Sequence, residues 1–121
     1  SILKADKIIW RQDTTGRSII RAQALFPETK ITNSCNENLW VKFRIQIKAS
    51  DRWREWSLSK INEFQPHESK NITLARDGIA IMGKNNFNAK IFSFTVLVNQ
   101  YREILDNEDN LPYSLIYEEN Y

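Results

Sequence analysis

The sequence predicts an all-β chain folded as an antiparallel β-sandwich, and three observations carry that prediction. Residues 40–49 alternate strictly, with Val41, Phe43, Ile45, Ile47 and Ala49 on one side and Trp40, Lys42, Arg44, Gln46 and Lys48 on the other. A period of two marks a half-buried strand. About seven segments of strand character are joined by turn chemistry at intervals of about 8 to 12 residues, the spacing of a sandwich or barrel. Little of the chain carries a convincing helical pattern.

Taken in order, residues 2–11 (ILKADKIIWR) place Leu3, Ala5 and Ile9 on one parity and Ile8 and Trp10 on the other. This predicts a first strand with a bulge or twist near Lys7, partly buried on both sides. Residues 12–16 (QDTTG) are turn chemistry, and residues 18–26, with Ile20, Ala22, Ala24 and Phe26 on one face, complete an opening hairpin. Residues 27–38 (PETKITNSCNEN) read as a surface connection, with a short edge strand at 30–32 as the alternative. After the strand at 40–49, Ser50, Asp51 and Arg52 form a turn, and Trp53, Trp56 and Leu58 resume as the second arm of a hairpin. The rival is a helix capped by Asp51, with Trp53, Trp56, Ile61 and Phe64 as its stripe, ending before Pro66. Ser57 and Ser59 alternate with Trp56 and Leu58, which favours the hairpin.

Residues 62–70 are polar and contain the only histidine, His67. Asp77-Gly78 between residues 71–76 and 79–82 signals a further hairpin, and residues 83–88 signal another turn. Residues 89–101 predict a long strand with Phe92, Phe94, Val96 and Val98 inward and Ser93, Thr95 and Asn99 outward. Trp10 and Trp56 are expected in the core. The domain limits follow: a sandwich over residues 1–101, then an acidic segment over 102–121. Ile104, Leu105 and residues 113–117 are that segment's anchors, as a terminal strand or a partner-dependent tail.

With 121 residues, 41% hydrophobic and 26% charged, the chain has the composition of a soluble globular domain able to bury a core without staples. No apolar run approaches the ~18 to 20 residues that span a bilayer, and the N-terminal order is not that of a signal peptide. The single Cys35 excludes an internal disulfide framework and favours a reducing compartment. Asn71-Ile72-Thr73 fits the glycosylation sequon, but inside an expected strand it reads as structure. Charge is distributed unevenly. Residues 102–121 hold six acids against one base, a net of −5, and residues 1–101 hold 16 bases against 9 acids, a net of +7.

For catalysis, nothing brings Cys35 or a serine to His67 as a nucleophile and base. Asp106, Glu108 and Asn110 imitate a calcium loop but fail at Leu111, where the turn needs glycine. One histidine and one cysteine argue against zinc. The expectation is therefore no enzyme, no cofactor and no metal. The candidate binding residues are Trp40, Lys42, Arg44, Lys48, Arg52, Trp53 and Arg54, because indole faces beside cations suit a protein partner, unstacked bases or a sugar ring. The plainer reading is that lysine and arginine stems simply cover indoles on a solvated face.

Phe43-Arg44-Ile45-Gln46-Ile47-Lys48-Ala49 followed by Trp53-Arg54-Glu55-Trp56-Ser57 resembles the late strands of fibronectin type III domains, over about fifteen residues. The resemblance implies an immunoglobulin-like sandwich used for recognition. More than sixty residues follow here, so it implies nothing about strand order. The alternative architecture is an OB-like five-stranded barrel with residues 51–64 as its one helix. The expected function is a non-catalytic recognition or assembly module binding a protein partner. Single-stranded nucleic-acid binding and carbohydrate binding are the alternatives.

Overall fold

The computed structural model describes residues 2–12, 24–49, 52–58, 60–75, 79–80, 88–98 and 111–120. They form ten strands: β1 (Leu3–Ala5), β2 (Ile9–Gln12), β3 (Ala24–Asn33), β4 (Leu39–Ala49), β5 (Arg52–Ser57), β6 (Asn62–Phe64), β7 (Ser69–Thr73), β8 (Ile79–Ala80), β9 (Asn88–Leu97) and β10 (Ser114–Asn120). Among the described residues there is no helix, so none is long and apolar enough to cross a membrane. The strands make two antiparallel sheets, and neither closes into a barrel.

Each sheet is built on one long strand. In the first sheet β1 and β2 lie end to end along one edge of β3, pairing with residues 31–33 and 25–28. The other edge takes β7 and then β8. In the second sheet the order is β10-β9-β4, and β5 and β6 share the far edge of β4. The alternation read from residues 40–49 holds on its apolar side, where Val41, Phe43, Ile45 and Ile47 are buried, while Lys42 on the other side is buried as well. The four apolar side chains form a single cluster with Leu39, Phe64, Ala89 and Ile91 from their own sheet and Leu3, Ile8, Ile31, Ile72 and Leu74 from the other. Phe43 and Phe64 meet edge to face, centroids 6.2 Å apart and planes at 76°, the favoured aromatic geometry. Trp10, expected in the core, packs half-buried against this cluster. The side chain of Trp56 lies outside the described residues.

Four expectations are corrected. Residues 27–33 are not a surface connection but the middle and end of β3, the most widely paired strand of the first sheet. Their polarity misleads because it is satisfied internally. The Thr29 hydroxyl donates to the Asp6 carbonyl at 2.7 Å. Asn33, fully buried, donates Nδ2 to the Glu37 and Gln65 carbonyls (2.8 and 3.1 Å) and accepts from the Cys35 amide (3.0 Å). Pro27 is tolerated because it lies between the two ladders on that edge, which cover residues 28–32 and 24–25, and its carbonyl still accepts from the Leu74 amide at 2.9 Å.

β7 and β8 do not form a hairpin with each other; both pair with β3, and Asp77-Gly78 lies outside the described residues. The rival helix over 51–64, and with it the OB-like barrel, gives way to β5 and β6 on the edge of β4. The polar stretch 62–70 is likewise mostly strand. Between β6 and β7, Gln65-Pro66-His67-Glu68 makes a type II turn, with Pro66 supplying the negative φ and His67 held at φ 61°. His67 Nε2 and Asn36 Oδ1 are 2.7 Å apart, joining that turn to the connection between β3 and β4.

The fourth correction concerns the face of β9. Ala89, Ile91 and Ser93 are buried, whereas Phe92, Phe94 and Val96 are only half-buried. The register decides this, because Ile45 stands opposite Ile91 and Ile47 opposite Ala89, and directly opposed residues share a face. The larger side chains of β9 therefore line the outer side of the sheet. The acidic C-terminal sequence contributes β10, which pairs with β9 with a bulge between Leu115 and Tyr117. Ile104 and Leu105 lie outside the described residues.

Candidate functional site

The outer face of the second sheet assembles residues from four strands. Along β4, Trp40, Lys42, Arg44, Gln46 and Lys48 stand opposite Val96, Phe94, Phe92, Lys90 and Asn88 of β9. On the other edge Gln46 and Lys48 face Glu55 and Trp53 of β5, and Trp40 faces Glu63 of β6. The feature that stands clear of this surface is Trp53, 45% exposed. Lys90 Nζ lies 4.7 Å and Lys48 Nζ 6.0 Å from its ring centroid, within cation–π range. Lys90 is on β9 and Trp53 on β5, so their contact spans β4.

The other predicted residues divide. Arg44 is already engaged: its guanidinium carbon sits 4.3 Å over the Tyr113 ring, and its Nε is 3.5 Å from Glu55 Oε1, which also accepts from Gln46 Nε2 at 2.9 Å. Lys42 is only 3% exposed, which corrects its reading as a surface cation. Trp40 is half-buried. Arg52 and Arg54 stand opposite Ala49 and Ile47, on the opposite side of β5 from Trp53, although both are exposed. Five of the seven predicted residues thus share one face, and the two arginines of β5 do not join them.

Sequence reasoning missed Lys90, Glu55 and Tyr113. Lys90 follows from the β4–β9 register once Ile91 is placed opposite Ile45. Tyr113 has no local signal, because it reaches Arg44 from the C-terminal segment. No family model, curated protein or solved structure matches the chain. What this face can do therefore follows from its own chemistry.

That chemistry is mixed in sign. Lys48 and Lys90 flank the indole, but Glu55 and Glu63 lie on the same face, and Glu118 stands opposite Lys90. Asn88 Nδ2 donates to Glu118 Oε2 at 2.7 Å and also to Asn120 Oδ1. On the inner side of β10, Tyr117 donates to Glu119 Oε1 at 2.9 Å. Burial pushes its hydroxyl up to about 12, assisted by that hydrogen bond and by the charges of Glu119 and Asp6. Among the described residues no group of three or more His, Cys, Asp and Glu side chains could hold a metal ion. A cleft of about 470 Å³ opens where β1 approaches β9 and β10, lined by Leu3, Ser93, Phe94, Thr95, Leu115 and Ile116 among others. Its side chains are apolar or hydroxylic.

Proposed function

We propose that the chain is a non-catalytic recognition module of immunoglobulin-like sandwich type, binding a protein partner through the outer face of its second sheet. The observation that carries this reading is the exposed Trp53 ring within cation–π reach of the ammonium groups of Lys90 and Lys48. A large, stiff, half-exposed aromatic beside mobile cations has the composition of a protein-binding hot spot, and the lysines select an acidic segment. Glu55, Glu63 and Glu118 near the same surface disfavour the continuous phosphate track of a nucleic acid, whose binding depends on uninterrupted cationic neutralisation. A sugar platform is less well served, since Trp40 is half-buried and leaves Trp53 without a second open indole from β4.

The test is a fluorescence titration of the chain with a poly-glutamate peptide, in parallel with a mixed-sequence single-stranded oligonucleotide, at low and physiological salt. Saturable change with the peptide, abolished by Trp53→Ala and weakened about threefold by Lys90→Ala as expected for an exposed cation–π pair, supports the reading. Quenching by the oligonucleotide that falls log-linearly with salt would replace it with nucleic-acid binding. No saturable change with either probe at low salt removes this face as a charged recognition surface.

A further inference from the structure

The second sheet ends in β10 on one side and in β5 and β6 on the other, and the outer edges of these strands pair with no strand among the described residues. Unpaired edges are templates for another strand, and proteins commonly guard them with charge. Here the guards have opposite signs. β5 presents Arg52 and Arg54, both exposed, and β10 presents Glu118, exposed, and Glu119, half-buried with Oε1 accepting from Tyr117 and Oε2 buried. Pairing β5 with β5 of a second copy sets arginines against arginines, and pairing β10 with β10 sets glutamates against glutamates, both unfavourable when directly opposed. Pairing β5 of one copy with β10 of the next opposes unlike charges.

Direction and facing also agree. β5 runs antiparallel to β4, β4 to β9 and β9 to β10, so β5 and β10 run in opposite senses. A second copy laid beside the first in the same orientation therefore offers β10 antiparallel to β5. Arg52 and Arg54 lie on the side of Ala49 and Ile47, and Glu119 lies on that same side, opposite Ala89. One register satisfies every position. With Arg52 opposite Glu119, Trp53 falls opposite Glu118 and Arg54 opposite Tyr117, giving an ion pair and a cation facing a phenol ring. The unshifted register, Arg54 opposite Glu119, sets Glu55 against Glu118 and is disfavoured. The favoured arrangement is displaced by two residues, about 7 Å along the strands.

From this geometry we propose that the chain assembles head to tail with copies of itself, β10 of one adding to β5 of the next to continue the second sheet. The proposal deepens the protein-binding reading by naming a second copy as a partner. Such an interface is heterologous and does not close on itself at the dimer, so growth continues until the accumulated rotation closes a ring or gives a filament.

The experiment is light scattering or sedimentation over a concentration series of the whole chain, at low and physiological salt. The expected mass rises past that of a dimer with concentration and rises less at physiological salt, where the Debye length is about 8 Å. Arg52→Glu with Arg54→Glu turns the Arg52–Glu119 attraction into a repulsion, removes the Arg54–Tyr117 contact and weakens association about tenfold or more. Both side chains are exposed, so this variant keeps the core and its fold is checked by circular dichroism. Glu119→Lys on that background restores association. A wild-type chain that stays monomeric, a closed dimer, or association unchanged in the arginine variant overturns the proposal. The Trp53 reading is judged separately by its peptide titration, run at a concentration where the chain is monomeric.

Discussion

The facing of β9 yields the most direct test of the architecture, because it inverts what side-chain size alone implies. Ile91 has no exposed surface and stands opposite Ile45 in the centre of the shared core, whereas Phe92 is half-buried on the outer side between Arg44 and Leu115. Truncating a fully buried isoleucine to alanine costs about 3.5 kcal/mol, transfer and cavity terms together. For Phe92→Ala, half of a full phenylalanine burial of ~3 kcal/mol leaves a cost of about 1.5 kcal/mol. With a urea m-value of about 1.5 kcal/mol/M, the midpoint falls by about 2 M for Ile91→Ala and about 1 M for Phe92→Ala. Both variants are read by equilibrium urea unfolding, with near-equal m-values confirming the same two-state transition. If Phe92→Ala proves the more destabilising, the register of β9 on β4 is wrong and the outer face described here does not exist.

Two further outcomes follow from buried polar groups. Asn33→Ala removes a side chain that serves three backbone groups; leaving them unpaired costs about 3 kcal/mol, read as a lowered melting temperature together with faster hydrogen exchange at the Cys35 amide. Tyr117, raised to about 12 in the fold against 10 as its ordinary value, keeps its proton while the unfolded chain loses it. Stability is therefore unaffected by this group below about pH 10 and falls as pH rises from there toward 12; tyrosinate absorbance and denaturation across that window follow the effect, and Tyr117→Phe removes this contribution to the slope.

How much of this was legible in the sequence depends on which force set each feature. The strand at β4 was readable because burial of Val41, Phe43, Ile45 and Ile47 on one face imposes a period of two, whereas the burial of Lys42 on the other face was not. The β4–β5 pairing was readable from the alternation that resumes at Trp53, although Arg52, expected in the turn, is already strand opposite Ala49, and Ser50-Asp51 lies outside the described residues. β3 was not readable, because Thr29, Asn33 and Pro27 are individually poor strand residues whose places depend on partners far along the chain: the Asp6 carbonyl, the Gln65 carbonyl and the Leu74 amide. The facing of β9 was misread for a related reason. Both its parities carry apolar residues, and only the register on β4 selects Ile91 over Phe92 for the core. At the site, Trp53 and Lys48 were recoverable as a cross-strand pair, but Arg52 and Arg54 were wrongly joined to them because neighbours along a strand face opposite ways.

The uneven charge of the sequence acquires a spatial meaning through this topology. A balance of +7 before residue 102 and −5 after it reads, along the chain, as a basic body with an acidic tail. Once residues Ser114–Asn120 pair with β9, two of those acids, Glu118 and Glu119, join one border of the second sheet, while the arginines of β5 form the opposite border. Charges separated across three strand-to-strand steps of about 4.8 Å each lie beyond a physiological Debye length, so the two borders do not neutralise each other within one copy. Each border remains available to a partner of the other sign. The mixed face adjoins both borders, since Trp53 lies on β5 and Glu118 on β10, and the edges add backbone groups whose partners are chosen by charge.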